Sequence, residues 1–417
     1  MTPGKTAVIV TNQVPGHDIG LQQSGHARYL TAFIEHFAGR GLDVVLAVPR
    51  PHVDFTSISY NALPFRLRSP RLVSVGERLV LRSARARAAV AAWRCYCRMP
   101  RALQSFAASV RLQARRCRGY VHRLGTFLTQ EDARFVDAVV AQERPAIVLY
   151  DGIFNWVQPT TAAPAWLITH EIKHLRAESF AAQGAAVLPR ELTRQRECAT
   201  FNKARNLIAI QWDDAQKLRA LAPAARVVVV PVPADVPSSF RRAPIEGRCL
   251  FVGSGSYHNV DAINWFLDEV WARLRGAYPH ATLDVVGTVA QRIARIPAGV
   301  RVHGNIEHLD AVYREASLAI IPLRIGSGLK VKTVEALAYG LPTLTTSVGA
   351  QGLMHLCPPP FIVEDDPARF AARAAYLLRV PSERAVLEHR ARSCAQRFTP
   401  MAAFAEFRAA TSAVEAA

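Results

Sequence analysis

The sequence predicts an α/β protein with two consecutive domains, each built around a doubly wound parallel sheet. The chain has 417 residues, which is more than one hydrophobic core usually supports. Short apolar runs alternate with segments of helical periodicity, a pattern typical of parallel strands joined by crossover helices. A proline-rich segment at residues 231–248 interrupts this alternation, which then restarts. We therefore expect two sheets separated by a linker.

The first domain is predicted over residues 1–230. The apolar runs that predict its strands begin at Thr6, Leu42, Ala146, Ala165, Leu207 and Arg226. Between them, segments such as EDARFVDAVVAQE and DAQKLRALA are typical of helices. Each such helix would cross over one face of the sheet and return the chain to a parallel strand.

The second domain is predicted over residues 249–395. The runs that predict its strands begin at Cys249, Thr282, Val300, Leu318, Pro342 and Phe361. The segment NVDAINWFLDEVWARLR has apolar residues three and four positions apart, which predicts a helix with one apolar stripe facing a sheet. Residues 396–417 follow as a C-terminal helix, which we expect to pack back across the linker towards the first domain.

The composition favours a cytoplasmic protein. Half of the residues are hydrophobic and a fifth are charged, which suits a soluble globular chain. The first apolar run is too short for a signal peptide, and no run approaches the roughly 20 residues of a membrane-spanning helix. The seven cysteines are scattered, and the spacing of Cys95 and Cys97 does not suit a zinc site. Free thiols in a reducing compartment are therefore expected.

The net charge of +18 is concentrated in one segment. Residues 66–123 contain fifteen Arg and one Glu. From residue 82 onwards Arg alternates with Ala, Val, Leu, Trp and Tyr, which predicts basic amphipathic helices lying on an anionic membrane through residues 80–120. Such helices would bind a protein located in the cytoplasm peripherally to the inner face of the plasma membrane. The alternative is a solvated insertion. Nucleic acid is not an expected partner, since the rest of the chain is nearly neutral.

The most informative stretch is AIIPLRIGSGLKVKTVEALAYGLPTLTT, residues 319–346. A strand ending at Pro322 is followed by a turn and by a helix predicted from near Leu329 to Gly340. The turn and the helix start carry glycines and cations, namely Arg324, Gly326, Ser327, Gly328, Lys330 and Lys332. Glycines allow a ligand close to the backbone, and the helix N-terminus favours an anion. Three cations beside that helix end indicate a diphosphate.

Glu335 lies three residues after Lys332, on nearly the same face of the predicted helix. A carboxylate there can accept two hydrogen bonds from a vicinal diol such as a ribose. Phosphates together with a diol indicate a nucleotide. The alternative is an ordinary helix ion pair beside a glycine turn.

At this point the residues resemble a known family. The segments FVGSGSYHNVDAINWFLDEVW, VHGNIEHLDAVYREASLAII and PLRIGSGLKVKTVEALAYGLPTLTT resemble the C-terminal half of the retaining GT-B glycosyltransferases of the group-1 (GT4-type) family. The resemblance covers most of residues 248–395 and is weaker over residues 1–230. It implies the GT-B fold, two Rossmann-like domains facing a cleft, and a nucleotide-diphosphate sugar bound by the second domain.

The resemblance also implies roles for individual residues. Glu335 would bind the ribose hydroxyls, and Lys332 with Arg324 or Lys330 would bind the diphosphate. Residues of two further turns would approach the ligand, Gly253 and Ser254 near the phosphates and Gly304 beside the base. No metal or other cofactor is implied, because cations and the helix end neutralise the leaving group.

Two positions depart from the family pattern. Many members have a first Glu eight positions before the Glu that corresponds to Glu335, but this chain has Ser327 there. Contacts to the donor sugar must then come from elsewhere, such as the Ser327 hydroxyl or loop N–H groups. Many members also carry an Arg and a Lys after the first strand of this domain, where the loop GSGSYHN has only His258.

A glycine-rich loop follows the first strand of the chain. Gly16, Gly20 and Gly25 precede a helix that carries His26 and Arg28. In GT-B enzymes similar loops approach the donor phosphates or the acceptor, whereas an ordinary turn also needs glycine. We therefore predict that the three glycines contact the donor phosphates or the acceptor.

His170 follows the predicted strand AWLIT, at the strand end where ligands bind in such folds. It resembles the family histidine that contacts the donor sugar near the reacting carbon, so we predict a catalytic role together with Glu335. The alternative is a histidine that caps a helix start. Further candidates at this edge of the sheet are Asp151, Glu171, His174 and Arg176.

Together with these patterns, the resemblance implies a hexosyltransferase-type enzyme that moves a sugar from a nucleotide sugar to a glycan or lipid-linked acceptor hydroxyl in cell-envelope or other glycan biosynthesis. Retention of anomeric configuration is implied by the resemblance alone. Three alternatives remain open from the sequence: a nucleotide-sugar epimerase of the same fold, a non-catalytic scaffold, and a polyanion-binding protein.

Overall fold

The computed structural model describes residues 5–13, 25–50, 57–59, 65–75, 78–81, 127–181, 192–234, 240–293, 295–306 and 308–415. Strands and helices alternate through most of these ranges. The strands are β1 (Thr6–Val10), β2 (Asp43–Ala47), β3 (Ser57–Ser59), β4 (Arg66–Arg68), β5 (Leu72–Val75), β6 (Arg78–Leu81), β7 (Ile147–Asp151), β8 (Ala165–Ile168), β9 (Asn206–Ala209), β10 (Arg226–Val229), β11 (Arg248–Val252), β12 (Thr282–Val286), β13 (Val300–Gly304), β14 (Leu318–Ile321), β15 (Thr343–Thr345) and β16 (Ile362–Val363).

The α-helices of the described residues carry the crossover connections. They are α1 (Gly25–Ala38), α2 (Gln130–Glu143), α3 (Lys173–Ala181), α4 (Arg194–Lys203), α5 (Trp212–Leu221), α6 (Tyr257–Trp265), α7 (Trp271–Ala277), α8 (Asp310–Glu315), α9 (Val331–Ala338), α10 (Pro367–Arg379), α11 (Pro381–Ala395), α12 (Pro400–Ala403) and α13 (Ala405–Glu415). A π-type turn, Phe266–Val270, joins α6 to α7, and single 3₁₀ turns occupy Ile153–Asn155, Thr288–Arg292 and Gln396–Phe398.

The first sheet has seven strands in the order β10-β9-β8-β7-β1-β2-β4. All of its strand pairs are parallel. The chain runs outward from β1 to β4 and then returns to place β7 on the other side of β1. The carboxyl ends of β1 and β7 therefore form a topological switch point, where ligands bind in sheets of this kind.

The second sheet has six parallel strands in the order β13-β12-β11-β14-β15-β16. Here the chain direction reverses between β11 and β14. The loop after β11 and the loop after β14, residues 322–330, therefore lie side by side at a second switch point. The predicted fold class, two doubly wound parallel sheets, is confirmed.

The C-terminal helices pack on the first domain. Phe33 of α1 contacts the rings of Phe404 and Phe407, with ring centroids 4.9 and 5.7 Å away. The Glu406 carboxylate accepts a hydrogen bond from the backbone N–H of Val229 in β10, at 2.8 Å. These contacts tie residues 400–415 to the first sheet, although the preceding helix α11 packs against the second domain through Leu387.

Some local structure differs from the sequence expectation. Helix α9 begins at Val331, two residues later than expected, because Gly328 has φ +74° and Lys330 an extended backbone. A small antiparallel sheet, β3-β6-β5, was not predicted. The basic amphipathic helices expected after residue 81 lie outside the described residues. Among the helices that the structure describes, none is long and apolar enough to cross a bilayer.

Candidate functional site

The two switch points face one cavity of about 340 Å³ between the domains. The first domain contributes the start of α1 and the segment after β8. The second domain contributes the loops after β11 and β14 and the first turns of α9. Its polar lining side chains include Arg28, Glu171, Arg176, Asn259, Lys330, Lys332 and Glu335. Residues far apart in sequence thus converge where both folds predict a ligand.

Glu335 is buried on α9 and bonds to both domains. Its Oε1 accepts a hydrogen bond from Nη1 of Arg28 at 2.7 Å, and its Oε2 accepts one from the Tyr313 hydroxyl at 3.0 Å. The Arg28 side chain is 41% exposed, so a ligand diol can displace it into solvent. Arg28 carried no predicted role, because no sequence pattern links it to a residue 307 positions away.

Lys332 is the cation that the first turn of α9 places in the cavity. Its ammonium donates to Oδ1 of Asn259 and lies 4.8 Å from the centre of the Phe251 ring. Burial lowers the pKa of Lys332 to about 7, against the opposing charge of Glu335. A partly buried lysine with one opposing carboxylate nearby favours a bound anion.

Lys330 has a different role in the structure. Its Nζ donates to the carbonyl oxygens of Ser327 and Gly328, at 3.1 and 2.9 Å, and to Oε1 of Gln351 at 3.0 Å. These bonds fix the shape of loop 322–330, in which Gly326 (φ +138°) and Gly328 (φ +74°) adopt conformations that favour glycine. Lys330 lines the cavity, but its ammonium group donates its hydrogen bonds to this loop and to Gln351.

Several predicted site residues lie outside the cavity lining, namely Asp151, His170, His174, Gly304, Arg324 and Gly328. Arg324 is paired with Asp261 through bonds of 2.5 and 3.1 Å, and its guanidinium lies 5.8 Å from the Trp265 ring centre. Gly304 ends β13, where its carbonyl accepts the N–H of Gly287 at 2.5 Å. The neighbouring Asn305 lines the cavity instead.

The loop after β11 is shaped by Asn259. Its Nδ2 donates a hydrogen bond to the carbonyl oxygen of Ser254 at 3.0 Å. Gly253 and Ser254, which were predicted to lie near the phosphates, both line the cavity. His258 also lines it, but burial and the nearby Lys332 lower the pKa of His258 to about 3. A neutral His258 therefore does not supply the cation that this loop lacks.

In the first domain, Asp151 at the end of β7 anchors a hydrogen-bonded cluster. Its buried carboxylate accepts from the Thr11 hydroxyl at 2.6 Å and lies 2.9 Å from Nε2 of His26 and 2.7 Å from Nε2 of His170. Burial alone would raise the pKa of Asp151, but the two imidazoles outweigh it and hold that pKa well below its usual range. Burial lowers the pKa of His170.

The same three residues are the donor set that a metal would use in the described part of the chain. Nε2 of His26, Nε2 of His170 and a carboxylate oxygen of Asp151 lie within 4.8 Å of one another. The spacings of 2.7 to 2.9 Å are those of imidazole N–H groups donating to a carboxylate. The cluster is therefore satisfied as a hydrogen-bonded unit, in which Asp151 fixes the tautomer and orientation of His170.

Glu171 and Arg176 extend the site from the first domain. Oε1 of Glu171 accepts from Nζ of Lys173 and from Nη1 of Arg176, both at 2.6 Å. His174 points away from the cavity, with its Nδ1 2.7 Å from Oε2 of the fully buried Glu197. Gly25 lines the cavity beside these residues, whereas Gly16 and Gly20 lie outside the described residues.

Comparisons with known proteins agree with this geometry. Residues 246–379 match the family model described as Glycosyl transferases group 1. The structure superposes on that of sucrose-phosphate synthase from Thermosynechococcus elongatus with a TM-score of 0.63 and 14% sequence identity. The superposition covers 99% of this chain and 100% of the synthase chain. The chain has the GT-B fold. A comparison with curated protein sequences finds no match.

Two further solved structures share the GT-B fold along nearly the whole chain. Anabaena HepE, solved in complex with UDP and glucose, covers 98% of this chain and 99% of its own at 12% identity, with a TM-score of 0.60. WaaG, a glycosyltransferase involved in lipopolysaccharide biosynthesis, covers 96% and 99% at 15% identity, with a TM-score of 0.55. The family match and the fold support a glycosyltransferase-type function.

The lowered pKa of Lys332 predicts a pH dependence for anion binding in the GT-B cleft. Because its pKa lies near 7, Lys332 loses its charge above neutral pH, so diphosphate affinity should fall between pH 7 and 9, by at most about tenfold per pH unit. Titration calorimetry across this range measures the effect. Lys332→Arg, which stays protonated, should flatten the profile. An identical profile in both proteins would contradict the prediction.

Proposed function

We propose that this protein is a glycosyltransferase that moves a sugar from a nucleoside-diphosphate sugar to an acceptor hydroxyl. The observation that carries the proposal is the pairing, on the first turns of one helix, of the partly buried cation Lys332 with the buried carboxylate Glu335. One binds phosphate, the other a diol, and they line a single cavity at the GT-B switch points. A nucleotide is the ligand that presents both groups.

The proposed donor lies with its diphosphate against the loops after β11 and β14. Backbone N–H groups at the start of α9 and the Lys332 ammonium face that position. The ribose hydroxyls take the place of Arg28 on Glu335. The Anabaena protein solved with UDP and glucose supports a nucleotide sugar as donor, and a hexose as the transferred group is part of the proposal.

The proposed reaction breaks the bond between the anomeric carbon and the diphosphate oxygen. The electron pair leaves on the diphosphate, whose growing charge Lys332 and the helix end stabilise. The acceptor oxygen bonds to the anomeric carbon, and its proton passes to the diphosphate or to solvent. Because this chain supplies the cations itself, we propose that no metal is required. Retention of configuration is also part of the proposal.

The acceptor is proposed to be a glycan or a lipid-linked saccharide, reached from the cytoplasm. The Arg-rich composition of residues 80–120 supports peripheral binding to an anionic membrane. Deletion of that segment should abolish partition onto vesicles that contain phosphatidylglycerol, measured by co-sedimentation. Unchanged partition of a deleted protein that still melts cooperatively would contradict the membrane interaction.

Turnover of donor sugars tests the proposed function. The protein is incubated with UDP-, GDP-, ADP- and TDP-hexoses, with and without EDTA, and released nucleoside diphosphate is measured. We expect release from one nucleotide class, unaffected by the chelator, with the anomeric configuration of the product read by NMR. Epimerised donor without release would identify an epimerase, and no release with any donor or saccharide acceptor would identify a scaffold.

A further inference from the structure

A hydrogen bond joins the two domains at the lining of the cavity. The hydroxyl of Ser327, in loop 322–330 of the second domain, donates to Oε2 of Glu171 in the first domain at 2.8 Å. Both residues line the cavity. The resemblance to the group-1 family implies a carboxylate at position 327, and here the Ser327 hydroxyl contacts a carboxylate of the opposite domain instead.

The backbone around this contact requires the two domains to be close. A Cβ atom at Gly328 would lie 3.3 Å from the carbonyl oxygen of His170 and 3.4 Å from Cβ of Glu171. Gly328 also has φ +74°. The serine loop can therefore reach Glu171 because the residue after Ser327 is a glycine.

The charge of Glu171 is set by its neighbours on α3. Burial alone would raise its pKa, but Lys173 and Arg176 outweigh it and hold the pKa of Glu171 well below its usual range. Glu171 is thus an ionised acceptor and a poor proton acceptor in catalysis. Oε1 accepts from both cations, whereas Oε2 accepts from Ser327. A carboxylate oxygen has two acceptor sites, which leaves Oε2 able to take a further O–H donor.

We propose that Glu171, held by Ser327, binds hydroxyl groups of the transferred sugar and thereby selects the donor sugar. This inference rests on the proposed function. Glu171 and Glu335 are the acidic side chains among the described residues of the cavity lining, and carboxylates favour hydroxyl groups over phosphates. Glu335 serves the ribose, so Glu171 serves the second hydroxyl-bearing part of the ligand, the sugar beyond the diphosphate.

The test compares sugar-free and sugar-bearing nucleotides. UDP, GDP, ADP and TDP and their commercially available hexose esters are titrated into the wild type, Glu171→Gln and Ser327→Ala by calorimetry. In Glu171→Gln we expect the affinity for the diphosphate itself to stay within about twofold, while that for the nucleotide sugar falls about tenfold. This corresponds to one charge-assisted hydrogen bond. Ser327→Ala should show a smaller loss of the same kind.

Matched variants separate sugar recognition from a structural role. Glu178→Gln changes an exposed glutamate of the same helix and should alter neither affinity. Ser327→Glu, added to Glu171→Gln, returns a carboxylate from the other side of the contact and should restore part of the preference for the nucleotide sugar. Melting temperatures verify that each variant folds.

The outcomes are distinguishable. Equal losses for diphosphate and nucleotide sugar in Glu171→Gln would overturn the inference and leave the proposed function standing, as would a wild type that gains no affinity from any sugar. A wild type that binds neither diphosphates nor nucleotide sugars would instead overturn the proposed function.

Discussion

Replacing Glu335 with Ala is expected to lower the affinity for the preferred nucleoside diphosphate roughly 100-fold. This corresponds to a loss of about 2.7 kcal/mol of binding free energy, the size expected for two hydrogen bonds to a charged acceptor. In the proposed complex the ribose diol loses its carboxylate, whereas Lys332 and the glycine loops remain to hold the diphosphate. Titration calorimetry on wild type and variant measures the loss. The same variant should retain weak, salt-sensitive binding of inorganic pyrophosphate.

Two further variants control for this result. Glu335→Gln keeps an acceptor for the Tyr313 hydroxyl, which donates at 3.0 Å, so it separates lost ribose binding from a disturbed core. We expect Glu335→Gln to lose most of the affinity while melting close to the wild type. Glu269→Gln, at an exposed position, should change nothing. Full affinity in Glu335→Gln would show that the carboxylate does not bind the ligand.

Asp151→Asn is expected to reduce turnover of the donor about 100-fold with little change in nucleoside diphosphate affinity, the size of effect typical of a group that orients an acid–base residue. An amide would force one imidazole of the cluster to accept where it now donates. His170, 2.7 Å from Asp151, would then lose its tautomer and orientation. Steady-state kinetics and calorimetry on the same samples separate turnover from binding.

The comparison with His170→Ala identifies the member of the cluster that acts on the substrate. If Asp151 works through His170, the double variant Asp151→Asn/His170→Ala should be no slower than His170→Ala alone. Asp268→Asn, at an exposed position, serves as the matched control. Multiplicative losses in the double variant would instead assign Asp151 a role independent of His170.

The sheets could be predicted from the sequence because buried parallel strands are continuous apolar runs. Runs such as TAVIV and CLFVG coincide with β1 and β11 within a residue. The break at residues 231–248 remains a prediction, which rests on proline interrupting both periodicities. The small antiparallel sheet containing Leu72–Val75 escaped prediction because its strands are short and two of the three lie in the arginine-rich segment.

The site could be predicted only in part, because the hydrogen-bond partners of several site residues are distant in the sequence. Lys332 and Glu335 could be placed together by helical spacing alone. Arg324 was predicted to bind phosphate because it lies in the same glycine-rich turn. In the structure it is instead paired with Asp261, 63 positions away in the sequence. Glu171 and Ser327 are 156 positions apart, and no local sequence pattern predicts a hydrogen bond between residues so far apart. Contacts between domains need the fold before they can be seen.

Calorimetric titration of the wild type with UDP, GDP, ADP and TDP at two salt concentrations tests whether the cavity is a nucleotide site. We predict that one diphosphate binds with a Kd below about 1 mM, in preference to the other three and with modest salt dependence. Equal binding of all four with a steep loss in salt would indicate a polyanion site. No binding to a cooperatively folded protein would contradict the nucleotide site altogether.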